Sequence, residues 1–436
     1  MIRTSVLPLV FAVALGLSIS SSALEVKEAR WGFDGKVVAG KFNILSVLVD
    51  EPGPAPFDGE ISLSETRGAE STVGAPQVQK VYVTPGTRRW VQFAPFVTTK
   101  DKWKLRWGKT GSFTLEEVST DAPATVLLLD PNSPFSSSAE IRAFAEDLFP
   151  TSVVATEGLD QLVIDHVPRW DAPRREAFLD WLRRGGVVHV IRGADGYPVF
   201  DGDLAVLNTS QPKERVGGGT VARHDTTRAE CSAFFLEKAG FAPRGILNPP
   251  GEYPVLYGFH SGLLQKLASL TKPDVQWWLL YLLTIAYLVV IGPVHYRWSR
   301  KVDYRIAIGG FLGTVTVFSM AFIFAGSRGA GEIQTVHTLA IAQSLGEKRW
   351  DVMQWASAFA TTGDTYRLTH AAAWNLYAAP SDAEAVNGYI LNGKGGYFEV
   401  DVNVAGMNII AHSRELSWQP GTTVGLGVTA KGLWYL

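Results

Sequence analysis

Cysteine is nearly absent. A single residue, Cys231, stands in 436, which excludes an intramolecular disulfide and a multi-cysteine metal site within one chain. A protein exposed to an oxidising compartment avoids surplus thiols, and the count fits that. Histidine is sparse as well. The eight histidines are scattered, with neither His-x-His nor His-Glu-x-x-His, so a zinc hydrolase has no support. The formal net charge is only −2, which leaves no electrostatic footprint for nucleic acid. Long runs of like charge are missing too, and with them a charged tail for capturing partners. Charge itself is missing from two long stretches, residues 275–296 and 306–327, which contain no Asp, Glu, Lys or Arg.

Those two stretches organise the rest of the chain. A helix needs about 20 apolar residues to cross a hydrocarbon core, and backbone groups in lipid must be paired internally. The two runs are therefore expected to be transmembrane helices. Their link, residues 297–305, carries Arg297, Arg300, Lys301 and Arg305 against one acid, Asp303. Short Lys- and Arg-rich loops stay cytoplasmic, so the tip is expected to point inward. Trp277, Trp278, Tyr296 and Trp298 flank the first run as interfacial anchors. The competing reading is a pair of buried core helices in a soluble protein. Gly309 and Gly313 form one small-xxx-small face in the second run, expected to close the hairpin or to form a homodimer. Gly292-Pro293 permits a kink in the first. No ionisable side chain lies mid-span, which speaks against a pump or transporter.

Residues 1–23 have Arg3, an apolar core from Val6 to Ile19, and Ser21 and Ala23 at the −3 and −1 positions of a small-residue cleavage site. This is the pattern of a secretory signal peptide, with an uncleaved anchor helix as the alternative. The chain is then expected to run outside, in, and outside again. In residues 24–120, short alternating runs such as Trp90-Val-Gln-Phe and Trp103-Lys-Leu-Arg-Trp are separated by Gly and Pro clusters. That spacing predicts a β-sandwich. Trp90, Trp103 and Trp107 read as core residues, with a sugar-binding surface as the alternative. From residue 328 to 436, strand-like runs return, including Tyr397-Phe-Glu-Val-Asp-Val-Asn-Val, and predict a second β-rich outer module.

Residues 121–270 read as an α/β module. Thr125-Val-Leu-Leu-Leu-Asp is a continuous apolar run suited to a buried parallel strand. A helix is expected over 137–148, with Ile141, Phe144, Ala145 and Leu148 on one face. Strands are expected at 152–156, 159–165 and 187–191. A helix capped by Asp171, with Pro173 in its first turn, should bury Phe178, Leu179 and Leu182 and stop at Gly185-Gly186. Strands alternating with helices imply a parallel sheet, and such sheets bind ligands at the carboxyl ends of their strands. Those ends hold Asp130, Asp165, His166, Arg192 and Asp195. The ligand-binding candidates are Asp130, Asn132, Ser133, Asp165 and His166.

The stretch Leu159-Asp-Gln-Leu-Val-Ile-Asp, followed by Ala177-Phe-Leu-Asp-Trp-Leu-Arg-Arg-Gly-Gly-Val-Val-His-Val, resembles the class I glutamine amidotransferase-like fold. Joined to Tyr287-Leu-Val-Val-Ile-Gly-Pro-Val-His-Tyr, it also resembles a group of poorly characterised bacterial envelope proteins in which a β-rich module, an amidotransferase-like module and a membrane hairpin follow one another. The resemblance covers about residues 25–340. It implies a flavodoxin-like α/β domain, an inner-membrane location with the bulk periplasmic, and neighbourhood to MoxR-type ATPase systems. An active amidotransferase carries a Cys on a sharp strand-to-helix turn. Cys231 follows Arg228-Ala-Glu and precedes Ser-Ala-Phe-Phe-Leu, which reads as a helix with Phe234 and Leu236 packing beside a small buried thiol. Asp165 and His166 would form an acid-base pair only if both side chains aligned, and neighbours in a strand point to opposite faces. Gly217-Gly-Gly-Thr reads as a strand-entry turn more readily than a phosphate cradle. The expectation is a multidomain α+β membrane protein with no catalytic residue, metal or cofactor, binding or scaffolding an envelope protein partner. The alternatives are a hydrolase of the amidotransferase-like class using Asp130, Asp165 or His166, and ligand sensing through the hairpin.

Overall fold

The computed structural model describes residues 24–67, 71–98, 102–130, 141–243, 254–270, 277–326, 335–346, 348–359, 364–370, 374–379, 387–391, 396–402, 407–415 and 427–430. The signal segment expected over residues 1–23 lies outside them. The fold is mixed α/β with several sheets, and two apolar helices stand out from it.

The first module contains β1 (Glu25–Trp31), β2 (Lys41–Phe42), β3 (Leu45–Asp50), β4 (Phe57–Arg67), β5 (Ser71–Val83), β6 (Arg88–Phe93), β7 (Phe96–Val97), β8 (Lys102–Trp107) and β9 (Gly111–Thr114). Strands β1, β3 and β6 form one antiparallel sheet, and β5, β4, β8 and β9 run side by side in another. Alternation decides which side chains enter the core: in β8, Trp103, Leu105 and Trp107 are buried while Lys102 and Arg106 are exposed. Trp31 packs on Trp103 with ring centroids 5.7 Å apart. Trp103 and Trp107 are thus core, and a sugar platform built on them is ruled out.

The next module holds β10 (Ala124–Leu129), β11 (Arg142–Ala145), β12 (Leu159–Ile164), α1 (Ala172–Arg184), β13 (Val187–Arg192), β14 (Lys213–Val216), β15 (Gly219–Thr227), α2 (Ala233–Lys238) and α3 (Pro254–Leu270). The sheet order is β11-β10-β12-β13-β15-β14, all neighbours parallel except the final pair. Asp171 caps α1 by accepting from the Arg174 N–H, and Gly185 ends it. Gly217, at φ +62°, turns the chain between β14 and β15, so the Gly217-Gly-Gly-Thr stretch is a hairpin turn.

Two expected elements differ. Residues 142–145 form strand β11 rather than part of a helix, and 146–148 form a 3-10 turn; residues 137–140 lie outside the described set. Ile141 and Phe144 are both buried, but in different clusters. Ile141 packs with Leu127, Val163 and Cys231, and Phe144 packs with Phe33, Leu148 and Phe149. Placing them on opposite faces of the sheet requires a strand, so pairing with β10 overrides the helical spacing. Residues 153–156 form a 3-10 turn rather than a strand. The turn is tightened by the Thr156 hydroxyl donating to the Val153 carbonyl at 2.6 Å.

The apolar runs form α4 (Trp277–Val289), a π-helical turn at Val290–Val294 that contains Gly292 and Pro293, α5 (His295–Ser299) and α6 (Tyr304–Gly326). Residues 278–299 and 304–325 are long and apolar enough to cross a membrane. Leu282, Ile285, Leu288, Ile323 and Phe324 are all more than half exposed, which removes the buried-core reading. Tyr287 closes the hairpin against Phe318, with ring centroids 5.2 Å apart. Trp298 lies so close to Gly310 that a Cβ there would sit 2.3 Å from the indole. The small face at Gly309 and Gly313 does not close the hairpin, because a Cβ at either meets nothing within 4 Å.

After the hairpin come β16 (Thr335–Gly346), β17 (Arg349–Phe359), β18 (Asp364–His370), β19 (Trp374–Ala379), β20 (Asn387–Leu391), β21 (Gly396–Val402), β22 (Met407–Glu415) and β23 (Gly427–Ala430). Strands β16, β17, β22 and β19 form one sheet. The remaining four join the first module: β20 pairs in parallel with β5, Ile390 opposite Gln77, to give a continuous eight-stranded sheet. Across the hairpin, the Trp355 indole N–H donates to His260 Nδ1 at 2.8 Å, tying β17 to α3. Trp355 shares one core with Phe42, Phe96, Leu264 and Leu267. Both ends of the hairpin therefore return to the same body.

Candidate functional site

The carboxyl edge of the parallel sheet carries a charged cluster. Strand β12 ends at Ile164, and the chain bends immediately. Asp165 and His166 are thus released from strand alternation, and Asp165 Oδ1 lies 2.8 Å from His166 Nδ1. The expectation that these neighbours must diverge is overturned because the strand stops one residue earlier. Glu146, just past β11, places Oε2 3.2 Å from His166 Nε2. Arg228, just past β15, forks onto Asp165, with Nε 2.8 Å from Oδ2 and a terminal nitrogen 2.9 Å from Oδ1. Glu146 Oε2 also accepts from the Arg169 N–H, and its carbonyl accepts from the Trp170 indole at 2.8 Å. Gly193 permits this approach from β13, since a Cβ there would lie 2.3 Å from the Asp165 carbonyl oxygen.

The electrostatics follow from the partners. Burial opposes the charge on His166, but hydrogen bonds to Asp165 and Glu146 outweigh it and raise its pKa to about 9. Burial would likewise push the Asp165 carboxyl up, yet the bonds from His166 and Arg228 hold it below the usual range. At neutral pH, His166 is an imidazolium donating from both nitrogens. A general base needs a neutral ring with one nitrogen open to substrate, and this one has neither. The cluster clamps the ends of β11 and β12 to the turn after β15.

Asp130 follows the last residue of β10 and is half-buried. The register that sets Leu129 opposite Ala145 places it beside Glu146 on the same edge. Asn132 and Ser133 lie outside the described residues. Arg192 pairs with Asp225, and Asp195 sits in the exposed turn closed by the Gly193 N–H donating to the Gly196 carbonyl at 2.8 Å. Cys231 is 3% exposed, and burial pushes its thiol up to about 11, which disfavours the thiolate that nucleophilic attack needs. It precedes the Ser232 cap of α2, and Leu236 packs with it as expected. Phe234 does not: it is 69% exposed. Among the described residues, no group of three His, Cys, Asp or Glu side chains could hold a metal ion.

Sequence reasoning missed Glu146, hidden in a stretch read as helix, and Arg228, whose partner is 63 residues away. It also missed a second polar pair. His189 Nδ1 lies 2.9 Å from His224 Nε2, and His189 Nε2 lies 2.9 Å from Gln161 Oε1. The Gln161 amide nitrogen donates to the Ala242 carbonyl, which orients the oxygen toward His189. His189 therefore donates from Nε2 and accepts at Nδ1 from His224. Burial, and then its neighbour His224, lower the His189 pKa to about 3, and burial lowers that of His224. The available signal was two polar residues interrupting apolar central strands.

No family model matches the chain, and no curated protein matches it. Among solved structures, a crystal structure of a cycloisomaltooligosaccharide glucanotransferase from Paenibacillus sp., complexed with cycloisomaltoheptaose, is 11% identical. The match covers 93% of this chain and 71% of that one with a TM-score of 0.20. A likeness this distant carries no functional argument.

Proposed function

We propose that this chain is a membrane-anchored, non-catalytic binding or scaffolding protein of the bacterial cell envelope, with its folded body periplasmic and its hairpin in the inner membrane. One observation carries the reading: at the carboxyl edge of the sheet, where such folds keep their chemistry, the ends of β11, β12 and β15 are tied together by an ion cluster. His166 is held charged between Glu146 and Asp165, and the Arg228 fork occupies both oxygens of Asp165. The buried Cys231 supports the same reading. The hairpin supports the anchoring, because its flanks meet in one body and its outer surface is apolar. The resemblance to envelope proteins with a degenerate amidotransferase-like domain points the same way.

The second reading is a hydrolase. The Asp165–His166 contact at 2.8 Å has the geometry of an acid orienting a histidine, and it would require Glu146 to release Nε2. Full-length protein in detergent is incubated with amide and ester substrates, and product is measured. No turnover is expected; turnover lost in a folded His166→Gln variant would overturn the reading. Location is tested with single cysteines at Ser71, Ser299 and Ser381 in a Cys231→Ser background. Labelling from outside at Ser71 and Ser381, with Ser299 protected, is the expected result. Labelling of Ser299 from outside would invert the topology.

A further inference from the structure

A cleft of about 520 Å³ lies between the first module and the α/β module. Its walls are unusual in one respect. Residues 27–31 and 142–145 line it consecutively. A sheet face presents every second residue, so an unbroken run means that the strand edge, with its backbone N–H and C=O groups, faces the space. Among the described residues, both strands are sheet edges: β1 is bonded only to β3 in its sheet, and β11 only to β10. Open edges are templates for another strand. Ala29, Ala143 and Ala145 carry small side chains along these edges, leaving room for a backbone to approach.

Charge is arranged to match a chain with both signs. Arg142, on β11, is exposed and has no ion-pair partner among the described residues; the same holds for Glu116 and Glu117 on another wall. By contrast, Arg30 on β1 is already engaged with Glu28. Strand addition already joins parts of this fold, since β20 pairs in parallel with β5.

We propose that the cleft binds an extended segment of a partner polypeptide, which adds as a β-strand to the open edge of β11 or β1, with an acidic side chain on Arg142 and a basic one on Glu116 or Glu117. This rests on the binding reading above and specifies its partner class. At about 3.3 Å rise per residue, the four-residue edge of β11 accommodates a segment of roughly that length. Main-chain bonds supply affinity, and alternate side chains supply specificity.

The test uses full-length protein in detergent micelles and a synthetic array of randomised hexapeptides. Bound sequences are expected to lack proline. N-methylation along a bound peptide should abolish binding at every second amide and spare the others, because a strand offers alternate N–H groups to one edge. Arg142→Glu, or Glu116→Lys with Glu117→Lys, should weaken binding at least tenfold at unchanged Tm. An array with no peptide bound above a Gly-Ser control overturns the proposal. So does binding indifferent to N-methylation and to both charge reversals. A change of oligomeric state in Arg142→Glu overturns it in favour of a second copy of this chain. If the array stays empty while the intact chain still cross-links to an envelope protein, the cleft falls and the binding reading stands. If the arrayed peptides are cleaved, the non-catalytic reading falls instead.

Discussion

Arg184 Nε lies 3.1 Å from Asp351 Oδ2, joining the last turn of α1 to a strand that follows the apolar hairpin. The same guanidinium reaches Glu157 Oε1 at 3.3 Å. Glu157 in turn accepts from the Phe42 N–H at 2.8 Å through Oε2. One node, with both carboxylates buried and the guanidinium partly so, thus fastens the first β module, the α/β module and the segment after the hairpin. Nearby, Arg349 reaches the fully buried Asp180 at 3.2 Å, and Gln343 donates to the Arg184 carbonyl at 2.8 Å.

Breaking this node should loosen the body as a whole. Removing one partner of a buried pair leaves an uncompensated charge and costs about 3–5 kcal/mol. Arg184→Ala takes the guanidinium from both Glu157 and Asp351 and is expected to lower Tm more than Asp351→Asn, which leaves Arg184 its Glu157 partner. Thermal melts of the detergent-solubilised protein measure both; equal, negligible shifts would mean that the node is not structural.

His166 makes stability depend on alkaline pH. Its pKa is raised to about 9 in the folded chain, against about 6.5 unfolded. The stability it contributes is fully present below about pH 6.5 and is lost as pH rises toward 9. His166→Gln should flatten the Tm profile across that window. A wild-type profile already flat there would contradict the ion cluster.

The His189–His224 pair acts in the opposite direction. Burial depresses both, His189 to about 3, so the unfolded chain binds more protons at mildly acidic pH. Their contribution is present above about pH 6.5 and falls as pH drops below it. His224→Gln should reduce the acid-side slope, and proton chemical shifts should place the His189 proton on Nε2. A proton on Nδ1 would refute the bonding scheme.

The hairpin distinguishes two adjacent glycines. Gly310→Val drives methyl groups into Trp298 and should disrupt helix packing at the tip by about 1–3 kcal/mol. Gly309→Ala meets open space and should stay within about 0.5 kcal/mol. Cross-linking of cysteine pairs across the hairpin reads both; a loss in Gly309→Ala would mean that the small face is a packing surface after all.

Much of this was legible along the chain because it depends on local pattern. The uncharged runs dictate two apolar helices, since charge is what such helices exclude. Asp171, Pro173 and Gly185-Gly186 delimit α1 because capping is a matter of a few neighbouring residues. Trp103 and Trp107 announce their burial by alternation. Tertiary structure decided the rest. Residues 142–145 became a strand because β10 offered an edge and two separate cores claimed Ile141 and Phe144. Asp165 and His166 could meet only because β12 ended at Ile164, and their partners Glu146 and Arg228 came from other strands. The joining of β20 to β5, and of Arg184 to Asp351, brings together residues well over a hundred positions apart. No local propensity encodes such pairings; they arise when distant segments bury a common core and their polar groups must find partners inside it.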